Sequence, residues 1–164
     1  YFKDRAKFLS MITREIRNHE ILCKKYDLKP VIRLNTTSDI MWENHKIMEL
    51  FPKTQFYDYS KHFKRMLKYL KGDMPKNYHL TFSRNEANDF QSTQVLKAGG
   101  NVAVVFRKEL PETYKGFKVV SGDDHDLRFL DEANVVVGLK EKLSLNKATG
   151  KLDRDKSGFV VDLK

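Results

Sequence analysis

The chain has 164 residues, 40% of them hydrophobic, with 31 Lys and Arg against 22 Asp and Glu and a formal net charge of +9. A domain of that length can bury roughly 70% of the surface its unfolded chain exposes. No apolar run approaches the ~20 residues of a membrane span, so a spanning role is excluded and no membrane partner is expected. Cys23 is the only cysteine, which excludes an intrachain disulfide and any cysteine-based zinc or iron–sulfur site built from these residues alone. A single cysteine suggests a reducing cytoplasm, and residues 2–18 carry no signal-peptide pattern. Tyr1 stands where an initiator methionine would, which leaves an upstream segment open.

Phe2, Phe8, Leu9, Ile12, Ile16 and Leu22 recur at helical spacing among Lys, Arg and Glu, so residues 1–27 read as an N-terminal amphipathic helix. Four β-branched or aromatic segments follow: VIRLN from Val31, TQFYDYS from Thr54, YHLTFS from Tyr78 and NVAVVF from Asn101, with starts about 23 residues apart. Between them lie the helix-like runs SDIMWENHKIMELF, KHFKRMLKYL and NEANDFQSTQVLKAGG, opened by capping residues or closed by Gly or Pro. This alternation over residues 31–110 predicts βαβ units and a parallel sheet. Residues 111–164 are strand-rich, with FKVVSGD, NVVVGL and a final GFVVDL, and the polar stretch 140–157 reads as an exposed loop. The expected fold is one α/β domain over 1–164 whose parallel β/α repeats form a partial or incomplete TIM-barrel-like sheet. The barrel-like arrangement is preferred to an open sheet because the even period lacks the excursion that reverses winding. An unclosed sheet would leave an edge for the N-terminal helix, a loop or a second copy of the chain to cover.

In parallel β/α folds the loops after the strand C-termini gather on one face, where active sites collect. Here those loops carry Asn35, Ser38 and Asp39; Asp58 and Lys61; Ser83, Arg84 and Asn85; Arg107; and SGDDHDLRFLD, which holds four aspartates and His125 between Ser121 and Asp131. Each has two readings. Ser38 or Asp39 can cap a helix N-terminus, which also attracts phosphate. Asn85 can cap, and Arg84 can hold a phosphate or carboxylate through two bonds. Lys61, Lys64, Arg65, Lys68 and Lys71 read as a solvated helix face or a binding stripe. Trp42 reads as a packing residue or a base-stacking platform. Asp123, Asp124 and His125 are candidate ligands for magnesium or manganese, since hard cations need clustered carboxylates; His125 could also serve as a general base. The alternative is a structural turn in which Asp126 or Asp131 pairs with Arg128. The basic excess favours nucleic acid or a nucleotide as partner. Together these readings put Lys61, Arg84 and Arg107 on phosphate, and Asn35, Ser38, Ser83, Asn85 and Arg128 around the ligand. Asp39, Asp58, Asp123 and Asp126 are the candidate catalytic residues, the first three orienting a metal, base or sugar hydroxyl.

The runs VIRLNTTSDIMWE, FYDYSK, NYHLTFSRNEAN, GGNVAVVF, GDDHDLRFLD and VVVGLKEK occur in order over nearly the whole chain. On them the chain resembles a family of bacteriophage and prophage proteins of unassigned activity. The resemblance implies a phage or mobile-element accessory protein working in the host-cell cytoplasm. That family also resembles radical S-adenosylmethionine enzymes in outline, with a cysteine-bearing segment ahead of the first helix. Here Cys23 lies within the helix, so no iron–sulfur cluster carries over to any residue of this chain. A radical or metal-dependent enzyme would need a cofactor segment outside it. A third expectation is a module that intercepts a host protein through its basic helix faces.

Overall fold

The computed structural model describes residues 3–145, 150 and 152–163. Phe2 of the expected first helix and residues 146–149 and 151 of the expected polar loop lie outside the described residues. Asp4 opens helix α1 (Arg5–Lys25) by accepting the Lys7 amide at 2.9 Å, and Lys24 and Lys25 complement the negative end of the helix dipole. Asp27, at φ 54, turns the chain away, and the Leu28 amide bonds back to the Cys23 carbonyl at 2.9 Å. Phe8, Leu9, Ile12 and Ile16 lie against the core. Leu22, expected on that face, is exposed, and its neighbour Cys23 takes the buried position.

The chain then runs through β1 (Val31–Ile32), a 3-10 turn (Trp42–His45), α2 (Ile47–Leu50), β2 (Gln55–Ser60), α3 (Phe63–Leu70), β3 (Tyr78–Ser83), α4 (Asp89–Lys97) and β4 (Val102–Phe106). After these come β5 (Thr113–Tyr114), β6 (Phe117–Ser121), a 3-10 turn (Arg128–Leu130), β7 (Val136–Lys140), β8 (Ser144–Leu145), β9 (Leu152–Asp153) and β10 (Val160–Val161). Apart from the β8–β9 hairpin, the strands form one eight-stranded, mostly parallel sheet in the order β1-β2-β3-β4-β7-β6-β5, with β10 also paired to β4.

Registers Phe56↔Tyr78, Asp58↔Leu80 and Ser60↔Phe82 put alternate residues of β2 and β3 on one face. Helix α3 packs there, its Phe63 ring 6.3 Å from that of Phe82 and its Met66 fully buried. At the turn from α4 into β4 the approach is so close that a Cβ on Gly100 would stand 2.7 Å from Val95 Cγ1. The opposite face presents Tyr57, Tyr59, His79, Thr81 and Ser83. The β6–β7 connection crosses this more polar face, placing the Phe129 ring 5.7 Å from Tyr57.

The α/β class and the parallel sheet match the sequence reading; the preferred closure into a barrel does not occur. The chain skips a place after β4, lays down β6, and returns to set β7 between them. No α-helix separates β6 from β7, only the 3-10 turn Arg128–Leu130, so the connection folds across the sheet instead of advancing it around a barrel. The edges are the two-residue strands β1 and β5, too short to recruit another strand readily. One further departure shapes the site. Pairing of β3 with β4 ends at Ser83↔Ala103, and beyond it Val105 and Phe106 of β4 pair with Val160 and Val161. The two strands therefore part at their C-terminal ends, and β10 fills the gap.

Candidate functional site

The C-terminal ends of the parallel strands surround an open cleft of about 830 Å³, lined from β1 onward by Arg33 and Asn35 to Asp39, from β2 by Tyr59 to Lys61, and from β3 by Ser83 and Arg84. Ala103 and Val105 of β4, Gly122, Asp123, His125 and Asp126 after β6, Leu139 and Lys142 at and beyond the end of β7, and Phe159 before β10 complete the lining. This volume and position suit a small-molecule site of an open α/β sheet.

A buried polar network shapes the cleft floor. Asp58, fully buried, accepts the Asn35 amide at 2.7 Å, Asn35 Nδ2 at 3.2 Å and the Tyr78 hydroxyl at 2.9 Å. Burial pushes its carboxyl up to about 6 against the lowering effect of those bonds. Asn35 Oδ1 in turn accepts from Ser38 Oγ, the Ile40 amide and Trp42 Nε1 at 2.8–3.0 Å. Asp39 accepts Ser60 Oγ, the Lys61 amide and Arg65 Nη1 at 2.8–3.0 Å. Arg65, one of the basic residues read as a helix face, is 3% exposed; it also forks onto Glu43 through Nε at 2.9 Å and Nη2 at 2.8 Å. Asn35, Ser38, Asp39 and Asp58 are thus brought together, and their polar atoms hold the β1 and β2 loops. Trp42 is buried beneath, at 2% exposure.

On the β3 side, Arg84 donates from Nε to Asp89 and from Nη1 to the carbonyls of Gly158 and Phe159 at 2.8 and 2.7 Å, which ties β10 to β3. Asn85 closes a turn by accepting the Ala87 and Asn88 amides at 3.0 and 2.9 Å, outside the cleft lining. Arg107 also lies outside it, bonded to Glu141, Asp162 and the Asp155 carbonyl, so it fastens the segment around β10 to β4. Of the three cations expected to hold phosphate, Lys61 keeps its ammonium in the cleft, 5.7 Å from the centre of the Phe159 ring. Neither Lys61 nor Lys142 pairs with a carboxylate among the described residues.

The aspartate run does not act as one unit. Asp123 lines the cleft and accepts the Lys140 amide at 2.9 Å. Asp124 is exposed and outside the lining, and His125 Nδ1 accepts the Leu127 amide at 3.2 Å. Asp126 reaches across the sheet to Arg33, Tyr57 and Tyr59. Among the described residues no group of three or more His, Cys, Asp or Glu is placed to share a metal ion. Arg128, completely buried, donates to the His125 carbonyl and lies 3.4 Å from Asp131, while its Nε and Nη1 make no hydrogen bond among the described residues. Burial and then the nearby Arg128 charge push His79 down to about 4, so it is neutral near pH 7.

A family model described as Gene product 88 matches residues 1–163. The chain belongs to the Gene product 88 family. No curated protein and no solved structure matches it. The family is of phage type, and no helix among the described residues is long and apolar enough to cross a membrane. Sequence reasoning missed Arg33, Lys142 and Phe159 of this Gene product 88 cleft and gave Tyr59 no role. Tyr57 and Tyr59 stand two apart in a strand, which in retrospect marks two aromatics on one face. Nothing local marked Phe159, which enters the cleft only because β10 returns to β4.

Proposed function

We propose that this phage gene product is an accessory protein that binds a phosphorylated ligand of nucleotide size in the strand-end cleft. The observation that carries the reading is the pairing pattern of its cations. Arg33, Arg65, Arg84, Arg107 and Arg128 each face a carboxylate, whereas Lys61 and Lys142, which both line the cleft, face none among the described residues. An unpaired ammonium at the mouth of a cleft attracts phosphate, and the net charge of +9 adds long-range attraction. The Tyr59 and Phe159 rings offer flat apolar surface for a base. Asp123 supplies one carboxylate, enough to share a magnesium or manganese ion with a ligand's phosphates rather than to hold one unaided.

The test is calorimetric titration of the chain with nucleoside mono- and triphosphates and short single-stranded oligonucleotides at low salt, with Lys61→Ala alongside. Nucleotide binding should weaken with salt and fall about tenfold in Lys61→Ala, the loss of one charge-assisted contact. Binding of oligonucleotides alone would move the reading to a nucleic-acid strand, and no binding of either would refute it.

A second reading, capture of a host protein, draws on Ile21, Leu22, Tyr26 and Leu28, all more than half exposed around the end of α1. Ile21→Ser with Leu28→Ser should then abolish recovery of a host protein from nuclease-treated lysate. Unchanged recovery would remove that reading.

A further inference from the structure

Asp126 stands out because its three donors are better fixed than it is. Oδ2 accepts Arg33 Nη1 at 2.8 Å and the Tyr57 hydroxyl at 3.1 Å, and Oδ1 accepts the Tyr59 hydroxyl at 3.2 Å. Tyr57 and Tyr59 rise from one face of β2, in register with His79 and Thr81 of β3. Arg33 is oriented twice over, by Nε to the Asn35 carbonyl at 3.2 Å and by its guanidinium lying 4.6 Å from the centre of the Tyr59 ring. Asp126, by contrast, is 50% exposed on a loop whose residues 123–127 are all exposed.

We propose that Arg33, Tyr57 and Tyr59 form an anion subsite of the cleft, and that Asp126 occupies it as an internal stand-in which a ligand's phosphate displaces. The proposal rests on the reading of the cleft as a phosphorylated-ligand site. Arg33, Tyr59 and Asp126 all line that cleft, so the subsite is open to a ligand already bound there. A phosphate carries more charge than a carboxylate and has three acceptor oxygens for three donors. Tyr57 is only 7% exposed, so departure of Asp126 with nothing in its place would leave a buried hydroxyl without a partner. The exchange is thereby restricted to anions. Beneath the loop, buried Arg128 lies close enough to act electrostatically on both tyrosines, adding a second cation to the field that an incoming anion meets.

Titration of the full chain with inorganic phosphate and with a nucleoside triphosphate, comparing wild type with Asp126→Asn, Tyr59→Phe and Lys61→Ala, tests this. Removing the internal competitor should tighten phosphate binding in Asp126→Asn by roughly fivefold or more. Tyr59→Phe, which keeps the ring and should melt as wild type does, should weaken it about fivefold. If Lys61→Ala weakens nucleotide binding while Asp126→Asn and Tyr59→Phe leave phosphate affinity unchanged, the cleft reading stands and the subsite is overturned. Should Asp126→Asn not fold, an unchanged affinity in Tyr59→Phe is enough to overturn it. If no variant and not the wild type binds phosphate or nucleotide, the cleft reading and the subsite fall together.

Discussion

Asp58 and His79 occupy opposite faces of the same two strands and carry opposed pH dependences. The Asp58 carboxyl is raised from 3.8 to about 6, so the native state favours its protonated form. Its contribution is fully present below pH ~4 and is lost as pH rises through 6. His79 is lowered from 6.5 to about 4, so its contribution is present above pH ~6.5 and is lost as pH falls through 4. Each shift corresponds to a contribution on the order of 3 kcal/mol, and over the shared window the two nearly cancel. Urea unfolding at a series of pH values should show this by difference. In His79→Gln, relative to wild type, stability should fall as pH rises from about 4 to 6; in Asp58→Asn it should rise over the same range. Parallel profiles for all three proteins would contradict the assignment. Little of this was legible in the sequence: Asp58 looked like a loop-end catalytic carboxylate, and only the fold shows Tyr78 and Asn35 closing over it.

At the scale of elements, strands β2, β3 and β4 stand where the short apolar, β-branched and aromatic segments put them, because parallel strands covered on both faces read as such runs. The run SDIMWENHKIMELF failed as a helix. Asn35 Oδ1 takes the Ile40 amide and Trp42 Nε1, and Lys46 at φ 55 interrupts the chain, leaving a four-residue 3-10 turn and the four-residue α2. Side-chain bonds to the backbone compete with helix formation in just this way, and hydrophobic spacing does not register them. Strand β10 is a different case: its β-branched residues were legible, but its place between β3 and β4 depends on Arg84 gripping two carbonyls from the other end of the chain. Arg84→Ala should loosen β10, and hydrogen exchange should then quicken at the Arg107 amide, which bonds the Val161 carbonyl at 3.0 Å. Unchanged protection of that amide would mean that β10 is held by its own pairing and the Arg107 clasp.

For the molecule as a whole, the sequence announced a parallel α/β sheet, and the loops it singled out gather around the cleft at the strand ends. It could not announce that the sheet stays open, since the strand-skipping return of β7 is a matter of topology that periodicity does not encode. Nor could it pair Arg33 with Asp126, which stand 93 residues apart. What emerges is an open sheet whose polar face is crossed by the β6–β7 loop and whose strand ends surround a cleft lined by two lysines that pair with no carboxylate among the described residues. The central claim is that this cleft takes a phosphorylated ligand, and backbone amide NMR of the labelled protein during titration with a nucleoside triphosphate tests it most directly. The account predicts saturable shifts concentrated at Thr36, Thr37, Lys61, Gly122 and Phe159. Shifts confined to α1 or scattered over exposed lysines, with the cleft amides unmoved, would contradict it.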